Sequence, residues 1–117
     1  MEIIRIYETY KEINKQYDQI IEKLISEEEI IQNSETLKML QLYKEKFEDL
    51  MNQTSAMETK EDNEKNIKDL KYLLTDNYFL ALDLCHFYTY SEIDRLKLRV
   101  LNYLNKKRRS ELFGETR

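Results

Sequence analysis

A chain of 117 residues, 41% hydrophobic and 36% charged, is the size of one domain and can bury a core without disulfide or metal support. It has no proline and a single glycine, Gly114, which excludes a sheet protein needing turn residues about every 8–12 positions. The net charge of −4 runs against a generally basic nucleic-acid binder, and one cysteine, Cys85, excludes an internal disulfide.

The fold class expected is therefore all-α. It is a helical bundle of four to five helices over residues 1–117, with a long N-terminal heptad helix and a buried aromatic-rich helix near 78–90. No run of 18 apolar residues is present, so no membrane span is expected. The opening MEIIRIYETYKEI lacks the basic and apolar regions of a signal peptide. A cytoplasmic protein is the expectation. The abundance of Lys, Ile, Asn, Tyr and Glu is common in AT-rich genomes, such as those of low-GC bacteria and their phages.

The first element is set by Ile3, Ile6, Tyr10, Ile13, Tyr17, Ile20 and Leu24. Their alternating spacing of 3 and 4 is a heptad seam, the pattern of a helix lying lengthwise on a partner. A helix over about 2–25 would be roughly 35 Å long. The seam suits either a bundle helix or a homo-oligomer formed through this helix. It stops at Glu27, where Ser26-Glu27-Glu28-Glu29 fits a capping box. Residues 26–33 read as a turn or a short helical piece, with Ser34 as the cap of the next helix.

A second amphipathic helix comes next over about 35–52, carrying Leu37, Leu40, Tyr43, Phe47, Leu50 and Met51. The polar stretch 52–63 reads as a loop, and Asp62 or Asn63 could cap a third helix, marked by Ile67, Leu70, Leu73 and Leu74. Thr75-Asp76-Asn77 are poor helix-interior residues, and a break or kink is expected there. The segment Tyr78–Tyr90 is apolar on nearly every face, so it should be wrapped by other helices. Ser91, with Asp94 three residues on, would cap a last helix with Ile93, Leu96, Val100, Tyr103 and Leu104 inward. A short tail covers about 110–117.

Little of this carries chemistry. The one histidine, His86, has Asp83 at i−3, but a lone Asp–His pair is not a catalytic site. Cys85 points to a different helix face. No Gly-rich phosphate loop can be built from Gly114 alone. Metal patterns need more Cys and His, or a Glu three residues before His86. No catalytic residue, metal ligand or cofactor is expected. Tyr90-Ser-Glu-Ile-Asp94 matches the Tyr-x-x-x-Asp/Glu export signal of small helical type VII substrates. With nine Tyr in an acidic chain, such matches arise by chance.

Charge is more informative. Residues 1–65 carry 16 acids and 9 bases, residues 66–117 carry 7 acids and 10 bases. Between 95 and 109 stand seven bases and no acid. Arg95, Arg99, Lys106 and Arg109 share one helix face, with Lys107 and Arg108 beside them. Three readings of that stripe stand: pairing with acidic helices of the same chain, contact with an acidic protein, or tracking of nucleic-acid phosphates.

The order of heptad helix, SEEE turn, YKEKFEDL helix, polar loop and IKDLKYLLTDN leading into a long helix loosely resembles the YlbF/YmcA-type small helical cofactors of Firmicutes over about 20–105. The likeness lies in the order of segments, and the aromatic density of 78–90 departs from it. It implies an oligomeric regulator acting through protein contacts. On the residues themselves, the expected function is a non-enzymatic protein–protein interaction module. That means a small adaptor, inhibitor or regulator, of a size and composition that fit a phage or mobile element. The partner-binding candidates are Arg95, Arg99, Lys106, Lys107, Arg108 and Arg109. The oligomer-seam candidates are Ile6, Tyr10, Ile13, Tyr17, Ile20 and Leu24. Nucleic-acid binding through 95–109 is the alternative.

Overall fold

The computed structural model describes residues 2–114, with side chains through Arg109. Four helices make up the described chain: α1 (Glu2–Ser26), α2 (Ser34–Ser55), α3 (Glu64–Thr89) and α4 (Ile93–Gly114). The all-α bundle is as the periodicity and the missing turn residues require. Neighbours run antiparallel. Tyr43 Oη donates to Gln16 Oε1 at 2.9 Å between α2 and α1, and Arg99 Nε donates to Asp83 Oδ2 at 3.0 Å between α4 and α3. Among the described residues, α2 and α4 stand at opposite corners, with no close approach of their backbones. The molecule is elongated, 50 × 31 × 18 Å, as long helices dictate.

The heptad seam of α1 lies inside this bundle. Ile6, Tyr17 and Ile21 are fully buried, and Tyr17 meets the Phe47 ring edge-on at 5.4 Å. A strict seven-residue repeat drifts by about 20° per heptad on a straight helix. The inward stripe follows that drift. Asn14 and Ile21 are buried, while the seam residues Ile13 and Ile20 are only half-buried.

The connections differ from the sequence expectation, each for a local reason. Ser26 does not open a helix. It ends α1, its hydroxyl donating back to the Lys23 carbonyl at 2.7 Å. Asn33, not Ser34, caps α2, its side chain accepting from the Glu35 and Thr36 N–H groups. That loop is tied to the far end of α3, where Tyr88 Oη accepts from Asn33 N at 2.7 Å and Gln32 Nε2 donates to the Tyr88 carbonyl. α2 runs three residues past its expected end, through Thr54, which is buried and returns its hydroxyl proton to Leu50 O. Asn63 precedes α3, but its side chain closes the preceding turn, accepting from Lys60 N.

The break expected at 75–77 is absent; α3 is continuous through it. Asn77 is buried; its amide donates to the Leu73 carbonyl one turn back and to Tyr10 Oη on α1, and its oxygen accepts from Asn14. The true end of α3 is a Schellman motif. Glu92 N donates to Phe87 O, Ser91 N to Tyr88 O, and Ser91 takes a φ of 56°. Ser91 therefore terminates α3 instead of capping α4, and the Glu92 carbonyl accepts the first bond of α4 from Leu96 N. α4 extends through Gly114, past the expected start of the tail; residues 115–117 lie outside the described chain.

Candidate interaction surface

The residues singled out by sequence fall into three environments. The α1 seam is spent on the protein's own core. Ile6, Tyr10, Tyr17 and Leu24 are buried by the same chain, so an oligomer through this seam would require opening the bundle. The basic stripe of α4 is broken up by pairing. Arg95 Nη1 stands 3.2 Å from Glu92 Oε1, and Arg99 holds Asp83. Lys107 turns inward to Asp18 and Asn14. Lys106, Arg108 and Arg109 have no carboxylate partner among the described residues and reach solvent. Lys107 is thus engaged within the chain.

Around Lys107 lies a polar cluster that the spacing did not reveal. Asn14 Nδ2 donates to Asn77 Oδ1 at 2.7 Å and to Tyr103 Oη at 3.0 Å. Asn77 Nδ2 donates to Tyr10 Oη at 2.9 Å. Tyr103 Oη donates to Asp18 Oδ1 at 2.7 Å, and Lys107 Nζ donates to Asn14 Oδ1 at 2.7 Å and to Asp18 Oδ2. α1, α3 and α4 each contribute. Burial pushes the Tyr10 phenol up to about 12, against the Asn77 hydrogen bond that pulls it down. Burial and the neighbouring Asp18 raise Tyr103 well above the ordinary phenol range. The groups satisfy one another, so the cluster aligns three helices.

Cys85 and His86 form no reactive pair. Cys85 is buried, and burial raises its thiol pKa, against the pull of nearby Lys44, which disfavours a nucleophilic thiolate. His86 is exposed, meets the Tyr90 ring at a tilt with centroids 4.8 Å apart, and sits 3.6 Å from Glu92 Oε2. Asp83, its expected partner, belongs to Arg99. Among the described residues, no group of three or more His, Cys, Asp or Glu side chains could hold a metal ion. Nor is any described helix long and apolar enough to cross a membrane.

One side of α3 is open, as are single apolar side chains elsewhere, such as Leu98 and Leu101 on α4. The segment near 78–90 packs Leu80, Ala81, Leu84 and Tyr88 into the core. Its opposite side presents Tyr72, Phe79 and Tyr90 at 67%, 52% and 67% exposure, with Leu82 at 39%. These fall on a second heptad line: Tyr72, Thr75, Phe79, Leu82, His86 and Thr89, spaced 3, 4, 3, 4 and 3, with Tyr90 alongside. A shallow depression lined by Leu82, Asp83, Cys85, His86, Thr89 and Tyr90 continues it toward the end of α3. A groove of about 760 Å³ adjoins the other end, lined by Ile3, Ile4, Tyr7, Leu70, Leu73 and Asp76, among others. Apolarity on every face had one visible cause, burial. The actual cause is two seams, one inward and one outward, and the 3–4 spacing from Tyr72 was the signal.

Compared with protein-family models, curated proteins and solved structures, the chain matches none, and the likeness to the YlbF/YmcA-type cofactors gains no support from them.

Proposed function

We propose that this protein is a non-enzymatic interaction module, an adaptor, inhibitor or regulator that binds protein through the outward seam of α3. The observation that carries this reading is the row of Tyr72, Phe79, Leu82 and Tyr90, exposed at helical contact spacing. Scattered apolar side chains on a surface need no explanation, but a row along one side of a single helix does. Tyrosine rings suit such a row, since they bury area while the hydroxyl keeps a polar contact.

The test is affinity capture with the intact chain beside Phe79→Asp and Leu82→Asp. Both positions are exposed, so both variants should keep the wild-type circular dichroism. Loss of the captured protein in both supports the reading. Capture unaffected by either substitution would sink it.

The alternative, nucleic-acid binding, keeps Lys97, Lys106, Arg108 and Arg109 as candidate contacts, with Arg95 still exposed beside Glu92, while Arg99 and Lys107 are engaged within the chain. Its signature is retardation of duplex or single strands that weakens steeply with salt. No retardation at low salt removes it.

A further inference from the structure

Resting on the reading that the outward seam of α3 is an interaction surface, we infer that the helix it takes is α3 of a second copy, laid antiparallel. Three observations point there.

The first is shape. From Tyr72 to Tyr90 the seam runs roughly 27 Å at 1.5 Å per residue, unobstructed, on a molecule only 18 Å thick. A 3–4 repeat on one helix is filled by another helix lying lengthwise, its side chains seated between those of the first.

The second is area. The rings of Tyr72, Phe79 and Tyr90, more than half exposed, offer on the order of 400 Å² at roughly 200 Å² per ring. Two copies double that. Adding Leu82, Thr75 and His86 brings the total to the roughly 1,000 Å² at which an interface becomes specific.

The third is charge, and it sets the direction. Extended by one heptad toward the start of α3, the seam reaches Lys65 and Lys68, with Lys71 beside it, all exposed. In a parallel pair, Lys65 and Lys68 would face their own copies. In an antiparallel pair, they face the other end of the seam, where the turn into α4 carries the exposed Asp94, with Glu92 beside it already shared with Arg95 at 3.2 Å. Phe79 then lies opposite Leu82 of the second copy, and Tyr72 opposite Thr89. One acid approaches another, Asp76 toward the second copy's Asp83. That Asp83 already holds Arg99 at 3.0 Å, so its charge is offset within its own chain.

The experiment uses the full chain. Sedimentation equilibrium across the micromolar range should give twice the 14.4 kDa chain mass, and Phe79→Asp should return it to one chain with helicity unchanged. Orientation is read by disulfide capture in a Cys85→Ala background. Tyr72→Cys mixed with Thr89→Cys should form a covalent dimer, while Tyr72→Cys alone should not. A dimer that survives Phe79→Asp, or Tyr72→Cys joining to itself, overturns the proposal. So does a wild-type monomer. If that monomer still captures another protein in a Phe79-dependent way, self-pairing falls and the interaction reading stands; if it captures nothing, both fall.

Discussion

At Ser91 a side chain with a Cβ occupies a left-handed backbone position, φ 56°, that ends α3. Such a residue carries a steric cost that glycine avoids. Ser91→Gly should therefore raise the unfolding free energy by about 0.5–1 kcal/mol, measured by urea denaturation. The hydroxyl of Tyr17 poses the opposite problem. Its ring is fully buried between Tyr43 and Phe47, yet the hydroxyl has no hydrogen-bond partner among the described residues. An unpaired buried hydroxyl costs about 1–3 kcal/mol. Tyr17→Phe keeps the ring and should stabilise the fold by about 1 kcal/mol in the same titration. Neither site was legible in the sequence. Ser91 followed by Asp94 looks like a helix start, and only the backbone bonds to Phe87 and Tyr88 show it to be a stop. Tyr17 sat on a heptad line that says where a ring goes but not what its hydroxyl meets.

The four helices were legible where apolar spacing is regular, and their joints were not. α1 and α2 follow directly from 3–4 spacing because a helix surface repeats with that period whatever the partner. The break at Thr75-Asp76-Asn77 failed because side-chain preference for caps assumes that water or the local backbone is the competing partner. Asn77 instead finds Tyr10 and Asn14, 67 and 63 residues away in sequence. No local window contains that information. Among the described side chains of α4, only Leu96 and Val100 are fully buried, and beyond them the described part of the helix is held through Tyr103 and Lys107. Hydrogen exchange read by mass spectrometry should show residues 101–109 opening well before α3. Lys107→Ala should speed exchange there and leave α2 unchanged. Equal acceleration across all four helices would show that α4 does not move as a separate unit.

For the molecule as a whole, buried phenols set the alkaline limit. Tyr10 is raised from 10.0 to about 12, and burial raises Tyr17 and Tyr103 as well. Below pH 10 both folded and unfolded chains keep these protons, so the stability is intact. Above it the unfolded chain releases them while the folded chain holds them, so stability falls as pH rises toward the folded values. Helix content should fall from about pH 10 upward, together with the share of the phenolate absorbance that belongs to the buried tyrosines. Tyr17→Phe should move that transition to higher pH. The architecture also divides the bundle into two kinds of joint. α2 meets its neighbours mainly through apolar side chains such as Leu40, Phe47 and Leu50, which exchange for one another at modest cost if volume is kept. α1, α3 and α4 meet through Asn14, Asp18, Asn77, Tyr103 and Lys107, where losing one member strands the others. The chain should thus drift at two rates over generations. Substitutions accumulate freely along α2, whereas a descendant that has lost Lys107 should have lost Asp18 as well, a paired change that a set of diverged sequences would reveal.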